Sequence, residues 1–259
     1  VPTLVLNGHP TWGLLPKKGG TPVVLLHGGH SSSLSLLNAV GPLLSKHYRI
    51  GAFDRRGHGR TRDTDAPFSY SLMADELIAY LELVGRPCHV LGHSDGANTA
   101  LVASLRRPDL IARQVLVGAN YNFAGLMPLP PFEEDSPGFV EWAASFGALS
   151  PDGEAHARAV FRKTAELHRT QPTLTRTDLA TVAVPTLVMA GDDDVATLTH
   201  TASLYESIPG SQLAIIPGTS HSVLKEASKL SVRIIRRFLD SELPVVTRYP
   251  LRRQVELEQ

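Results

Sequence analysis

The chain has 259 residues, enough for one α/β domain with an insertion and a sizeable buried core. Its 25 Lys and Arg residues balance 25 Asp and Glu, which excludes the basic field of a nucleic-acid binder and any acidic tail. The single cysteine, Cys88, excludes an internal disulfide and reads as a buried structural thiol; no long apolar span or signal-like leader marks a membrane or secretory route, so a cytoplasmic location is expected, with a leader upstream of Val1 left open.

In chain order, strand-like runs fall at residues 3–6, 22–26, 48–53, 89–91, 114–117, 186–189 and 213–216. Most are continuously apolar, as in a sheet covered on both faces. Helical runs alternate with them. Residues 72–84 carry apolar side chains at Leu77, Ile78, Leu81 and Val84, with Ser71 as a possible N-cap and Gly85 then Pro87 as a stop. Helices are also expected over 97–107 and 223–239. This alternation predicts a doubly wound, mostly parallel sheet. No solenoid repeat or low-complexity tract interrupts it.

The most informative stretch is Val90-Leu91-Gly92-His93-Ser94-Asp95-Gly96, a serine with glycines two residues to either side, between an apolar run and an Ala-rich one. Such a pattern specifies a sharp strand-to-helix turn that holds the serine in a strained conformation and exposes its hydroxyl at a sheet edge. A serine hydroxyl needs a base within hydrogen-bond reach and a carboxylate to orient that base. Residues 185–190 form a buried-strand run ending in Gly191-Asp192-Asp193-Asp194, and the run at 212–216 ends in Pro217-Gly218-Thr219-Ser220-His221. Acid and base candidates therefore follow successive strands, whose ends converge on one edge of a parallel sheet.

Together with Leu25-Leu26-His27-Gly28-Gly29 and Phe53-Asp54-Arg55-Arg56-Gly57-His58-Gly59, these segments resemble the α/β-hydrolase superfamily, of the compact, lidded serine esterase and C–C hydrolase type. The resemblance runs from the strand before His27 to about Leu239. It implies an eight-stranded-type sheet with a small helical lid, and it assigns Ser94 as nucleophile, Asp194 as acid and His221 as base. Asp194 is preferred because the family's acid usually stands three residues after the glycine, here Gly191; Asp192 and Asp193 remain alternatives. The usual substitute position, near Asn120, holds no carboxylate. Gly29 and Asp95 would supply the oxyanion-hole N–H groups. An acid at position 95 has two readings, attraction of a cationic substrate group or a favourable placement at a helix N-terminus.

The core is expected over 1–118 and 182–240, the lid over 119–181, and a C-terminal extension over 241–259. Tyr121, Phe123, Met127, Trp142 and Phe146 of the lid, with His30, are candidate substrate contacts around a medium, largely apolar pocket. Helices are expected at 139–146 and 153–168 within the lid. His27 and His93 read as braces of the oxyanion loop and the elbow, His58 as structural, and Asp54 and Arg55 as a local ion pair. No metal or cofactor is expected.

The expected activity is hydrolysis of a small to medium carboxylic ester through an acyl-enzyme. The alternatives on this scaffold are C–C bond (diketone) hydrolysis, lactone opening and cofactor-free peroxidation, or a ligand-binding receptor that retains the triad. The expected partner is a small ester-like molecule, with neither nucleic acid nor membrane, and the oligomeric state is open.

Overall fold

The computed structural model describes residues 4–128, 133, 136–243, 245 and 247–248. In chain order its elements are β1 (Leu4–Leu6), β2 (His9–Thr11), β3 (Gly13–Leu14), β4 (Pro22–Leu26), α1 (Ser33–Ala39), α2 (Gly41–Leu44), β5 (Arg49–Phe53), α3 (Tyr70–Val84), β6 (Cys88–His93), α4 (Asp95–Arg106) and β7 (Ile111–Val117). Then follow α5 (Pro137–Gly147), α6 (Ala157–Thr170), α7 (Arg176–Leu179), β8 (Thr186–Asp193), α8 (Leu198–Ser207), β9 (Gln212–Ser220), α9 (Val223–Glu226) and α10 (Ser228–Leu239).

The main sheet has the order β3-β5-β4-β6-β7-β8-β9, with every neighbouring pair parallel except β3 with β5. β1 and β2 form a separate antiparallel ribbon. Only Trp12 separates β2 from β3, so the pair acts as one bent strand that links ribbon to sheet and completes an eight-strand series.

The strand period of two explains the doubly wound layering. In β4, Val24 and Leu26 join one core with Leu77, Leu81, Leu101 and Leu204 of α3, α4 and α8. Val23 and Leu25 join a second with Leu36, Leu44, Ile235 and Phe238 of α1, α2 and α10. Both faces are therefore covered by helices. A third cluster packs Phe139, Ala143, Phe146, Val160 and Leu167 of the segment between β7 and β8 against Phe68, Tyr70 and Met73.

Several local expectations shift. Helix α3 starts at Tyr70, and its cap is Ser69, whose Oγ accepts from Leu72 N at 3.2 Å; Ser71 Oγ instead accepts from Arg106. Its C-terminal Gly85 is left-handed, φ 73°, as a glycine stop requires. The run 223–239 breaks at Ala227 into α9 and α10. Asp54 and Arg55 do not pair. Successive residues leaving a strand point to opposite faces, so Asp54 binds Arg60 at 2.8 Å while Arg55 turns inward to within 3.9 Å of Asp95. Of the expected C-terminal extension, Ser241 is held by Arg113, whose Nη2 donates to its carbonyl at 2.6 Å; residues 244, 246 and 249–259 lie outside the described residues.

Candidate active site

Ser94 joins β6 to α4 with φ 56° and ψ −122°, a positive-φ conformation that a residue with a Cβ rarely adopts. The neighbouring glycines allow it: a Cβ on Gly92 would strike the backbone of Gly96 and Ala97, and one on Gly96 would strike the carbonyls of Leu26 and His27. Sheet pairing fixes the turn from behind, since Ser94 N donates to Val117 O at 2.8 Å.

At the ends of β8 and β9, Asp194 Oδ1 and His221 Nδ1 are 2.6 Å apart. Burial pushes the Asp194 carboxyl up, but its hydrogen bond to His221 and the charge of that ring outweigh burial and hold it below the usual carboxylate range. The other two acids are differently engaged. Asp192 Oδ1 accepts from Thr219 N at 3.1 Å, and Asp192 and Asp193 are exposed at the end of β8. Gly118, at φ 60°, closes against this pair; a Cβ there would lie 2.8 Å from His221 Cε1. With Nδ1 committed, Nε2 is the nitrogen available to the cavity that His221 shares with Ser94.

That cavity measures about 240 Å³. Its wall combines Gly28, Gly29 and His30 of the loop after β4 with Ser31, Ser35 and Leu36, and, across from them, His93, Ser94, His221, Ser222, Leu224 and Lys225. The aromatic composition of the insertion suggests an apolar pocket, whereas this wall is rich in serine and histidine. The difference arises because the insertion's rings pack on one another. Trp142 contacts Phe139, Phe146 and Phe161, and Phe146 is buried in that cluster. Tyr121 stacks on His200 at 4.1 Å, while Phe123 and Met127 are exposed. Of the six candidate contacts, only His30 is part of this wall.

His93 and His27 brace the site. His93 Nε2 donates to His221 O at 2.8 Å, and burial, aided by His221, pushes its pKa down to about 4, so the ring is neutral. His27 Nδ1 donates to Gly28 O at 2.8 Å and its Nε2 accepts from Arg55 N at 3.1 Å. Arg55 Nη2 also donates to Gly28 O, at 2.9 Å, so two side chains hold the glycine loop from behind. Trp142 Nε1 holds the same loop from the insertion, donating to His30 O at 2.8 Å. His30 has φ 50°, its ring stacks on Phe161 at 4.8 Å, and burial followed by His168 lowers its pKa to about 4.

Asp95 is the first residue of α4, so its N–H lacks an intrahelical acceptor. Its side chain is 1% exposed and is not part of the cavity wall, which leaves no route for a substrate cation to pair with it. Oδ1 accepts from Tyr70 Oη at 2.7 Å and meets His168 Nε2 of α6 at 2.9 Å. Asn98 Nδ2 donates to Tyr70 Oη at 3.1 Å and to Asn120 Oδ1 at 2.8 Å. Burial would raise Asp95, but His168, then Arg55 and Tyr70, hold it far below the usual range. His168 and Tyr70 carry no local sequence signal for this role. Ser222 and Lys225 could have been found, because they follow the candidate base within one helical turn.

Among the described residues, no group of three or more His, Cys, Asp or Glu side chains could hold a metal, and no helix is long and apolar enough to cross a membrane.

Known proteins resemble the chain over most of its length. It is 28% identical over 226 residues, 78% of its own length and 87% of the other's, to the Pseudomonas savastanoi pv. phaseolicola protein named "Putative carbamate hydrolase RutD". It is 27% identical over 238 residues, 80% of each chain, to 2-hydroxy-6-oxo-6-(2'-aminophenyl)hexa-2,4-dienoic acid hydrolase of Metapseudomonas resinovorans. Its fold resembles the crystal structure of the enol-lactonase from Burkholderia xenovorans LB400, with a TM-score of 0.72 at 19% identity over 91% of this chain and 98% of that one. Residues 23–232 match the alpha/beta hydrolase family, and the chain is a hydrolase belonging to that family.

Proposed function

We propose that the chain hydrolyses a small, polar carboxylic ester through an acyl-enzyme on Ser94. The observation that carries this reading is the 2.6 Å Asp194–His221 pair opening onto the same small cavity as the strained Ser94. His221 Nε2 takes the hydroxyl proton as Ser94 Oγ bonds to the ester carbonyl carbon, and Asp194 steadies the imidazolium. The N–H groups of Gly29 and Asp95 receive the oxyanion, each worth roughly 3 kcal/mol. Collapse breaks the ester C–O bond, and the departing alkoxide takes the proton from His221. Water, deprotonated by His221, then attacks the acyl carbon and releases the acid, returning the proton to Ser94.

The cavity lies below the range of about 300–1,000 Å³ that suits drug-sized ligands, and its serine-rich wall favours short polar acyl groups over long alkyl chains. The insertion acts as a lid that braces the glycine loop through Trp142 rather than as the main pocket wall. A second reading, cleavage of a carbamate through a carbamoyl-enzyme, is favoured by the relative named for that activity and needs no change in the residues or their roles.

Ser94→Ala should abolish covalent labelling by a fluorophosphonate while leaving the circular dichroism spectrum unchanged; persistent labelling would move the nucleophile elsewhere. On the wild type, p-nitrophenyl acetate should turn over faster than the octanoate. A preference for octanoate would contradict the small polar pocket, and multiple turnover of a p-nitrophenyl carbamate at a rate matching the acetate, with no accumulating covalent adduct, would favour the second reading.

A further inference from the structure

The residue directly after the candidate nucleophile carries a buried carboxylate, an unusual charge to place beneath a developing oxyanion. Asp95 Oδ2 has no hydrogen-bond partner and is fully buried. It lies directly under the glycine loop: a Cβ added to Gly29 would sit 2.6 Å from it, with Thr164 of α6 the next neighbour. One negative charge thus touches both backbone segments assigned to the oxyanion hole, position 95 through its own peptide and position 29 by contact.

An uncompensated carboxylate there would repel the oxyanion through a medium of low dielectric. The structure supplies two cations. Arg55, from the turn after β5, is completely buried and lies 3.9 Å from Oδ2, too far for a hydrogen bond, while its guanidinium donates to Gly28 O and Met73 S. His168, from α6 of the insertion, meets Oδ1 at 2.9 Å. The remaining groups around this pair are Tyr70 from α3, which donates to Oδ1, Asn98 from α4, and the neutral rings of His27, His30, His58 and His93. Glu76 of α3 also acts on Arg55, but it pairs with Arg56 at 3.1 Å, and that pair adds no net charge. With His168 protonated, Arg55, Asp95 and His168 together carry one net positive charge; with it neutral they carry none.

We infer that His168 is a positioning residue for the reaction: the imidazolium of the inserted helix neutralises Asp95 and turns the local charge beneath the oxyanion hole from zero to positive. It acts through Asp95 and does not touch substrate. The inference rests on Ser94 as the nucleophile, and it makes docking of α6 an electrostatic requirement of catalysis in addition to a matter of access. Burial opposes the charged ring, but Asp95 outweighs it and raises the pKa of His168 above the ordinary 6.5, which favours the protonated form.

The test is the pH–rate profile of ester hydrolysis with p-nitrophenyl acetate. His168→Gln keeps a donor for Oδ1 and removes the charge, so kcat should fall roughly 10- to 100-fold with KM nearly unchanged, and the alkaline decline of kcat expected of the wild type should vanish. Asp95→Asn combined with His168→Gln removes both charges and should recover most of the lost rate, an outcome that a purely structural hydrogen bond would not produce. In the wild type, the His168 resonance followed by NMR should titrate at the pH of that alkaline decline, which requires no variant to fold. Wild-type kcat and an unchanged profile in His168→Gln, a double variant slower than the single one, or a His168 titration unrelated to the decline would each overturn the inference. Fluorophosphonate labelling separates the failures: loss of label in Ser94→Ala together with any of these results removes the role of His168 and leaves the nucleophile in place.

Discussion

The sheet edge and the segment inserted between β7 and β8 contribute to the same site by different physical means. On the sheet edge, Ser94, Asp194 and His221 each follow a parallel strand, and backbone pairing sets their positions within one rigid layer. Among the described residues, the insertion has no strand in that sheet. It reaches the site through side chains: Trp142 to the His30 carbonyl, Phe161 against the His30 ring, and His168 to Asp95. Covalent topology therefore places the proposed triad, and packing places the side chains proposed to tune it. Loss of a sheet-edge side chain should abolish turnover without loosening the fold, whereas loss of an insertion contact should lower rate and stability together.

The sharpest break of that comparison is Asp194→Asn. The side chain keeps its volume, but an amide can leave His221 in the wrong tautomer, so kcat should fall about 10⁴-fold. Stability should change little, because the change lies at a loop end outside both hydrophobic cores. Urea titration alongside steady-state kinetics checks both, and a midpoint that falls with the rate would mean that the acid loop is part of the folding core after all.

Much of the sheet edge is readable in the sequence because its determinants are local. Apolar strand runs, the Gly92 and Gly96 spacing, and acids or a histidine just past a strand each describe a few adjacent residues, and parallel topology brings them together. The choice among Asp192, Asp193 and Asp194 was not local. It depends on which carboxylate faces His221, and in the structure Asp194 does, while Asp192 turns to Thr219. In the insertion the two helices are legible, since the expected 139–146 and 153–168 fall on α5 and α6, but its contacts are not, for the same reason on a larger scale. Its aromatics read as pocket walls because composition cannot distinguish a ring facing a substrate from a ring facing another ring, and the contact between His168 and Asp95 spans 73 residues with no motif at either end. The pairing of Asp54 with Arg60 rather than Arg55 is a smaller case, decided by the side to which each residue turns as the chain leaves β5.

Acidity should separate the two regions next. His93 on the elbow and His30 at the seam are held neutral, each with a pKa near 4 against an ordinary 6.5. Below pH 6.5 the unfolded chain binds protons that these folded rings refuse, so stability falls as pH falls. The loss grows to the order of 3 kcal/mol per ring at pH 4. His168 has the opposite sign. Its pKa is raised in the folded chain, so its contribution is complete below 6.5 and is lost as pH rises through the folded value. The chain has two tryptophans, one in each region, which lets fluorescence follow them separately. With Trp12 replaced by Phe, Trp142 should report loosening of the insertion on alkalinisation; with Trp142 replaced, Trp12 should report unfolding on acidification. Identical pH curves from the two probes would merge the regions into one cooperative unit.

The Trp142→Phe variant in that pair carries the smallest expected effect and tests the comparison at its seam. Phenylalanine keeps an aromatic ring among His30, Phe139, Phe146 and Phe161 and removes the indole N–H that donates to His30 O. One hydrogen bond to a partly buried carbonyl is worth about 1 kcal/mol, and the lost volume of the indole adds to that. His30 is held at positive φ, so releasing its carbonyl should let the glycine loop relax and move the Gly29 N–H, lowering kcat by a few-fold. Rate and urea midpoint should therefore fall together in this variant, in contrast to Asp194→Asn. If the unfolding free energy falls by about 1 kcal/mol while kcat stays at the wild-type value, the Trp142 brace on His30 belongs to the fold alone.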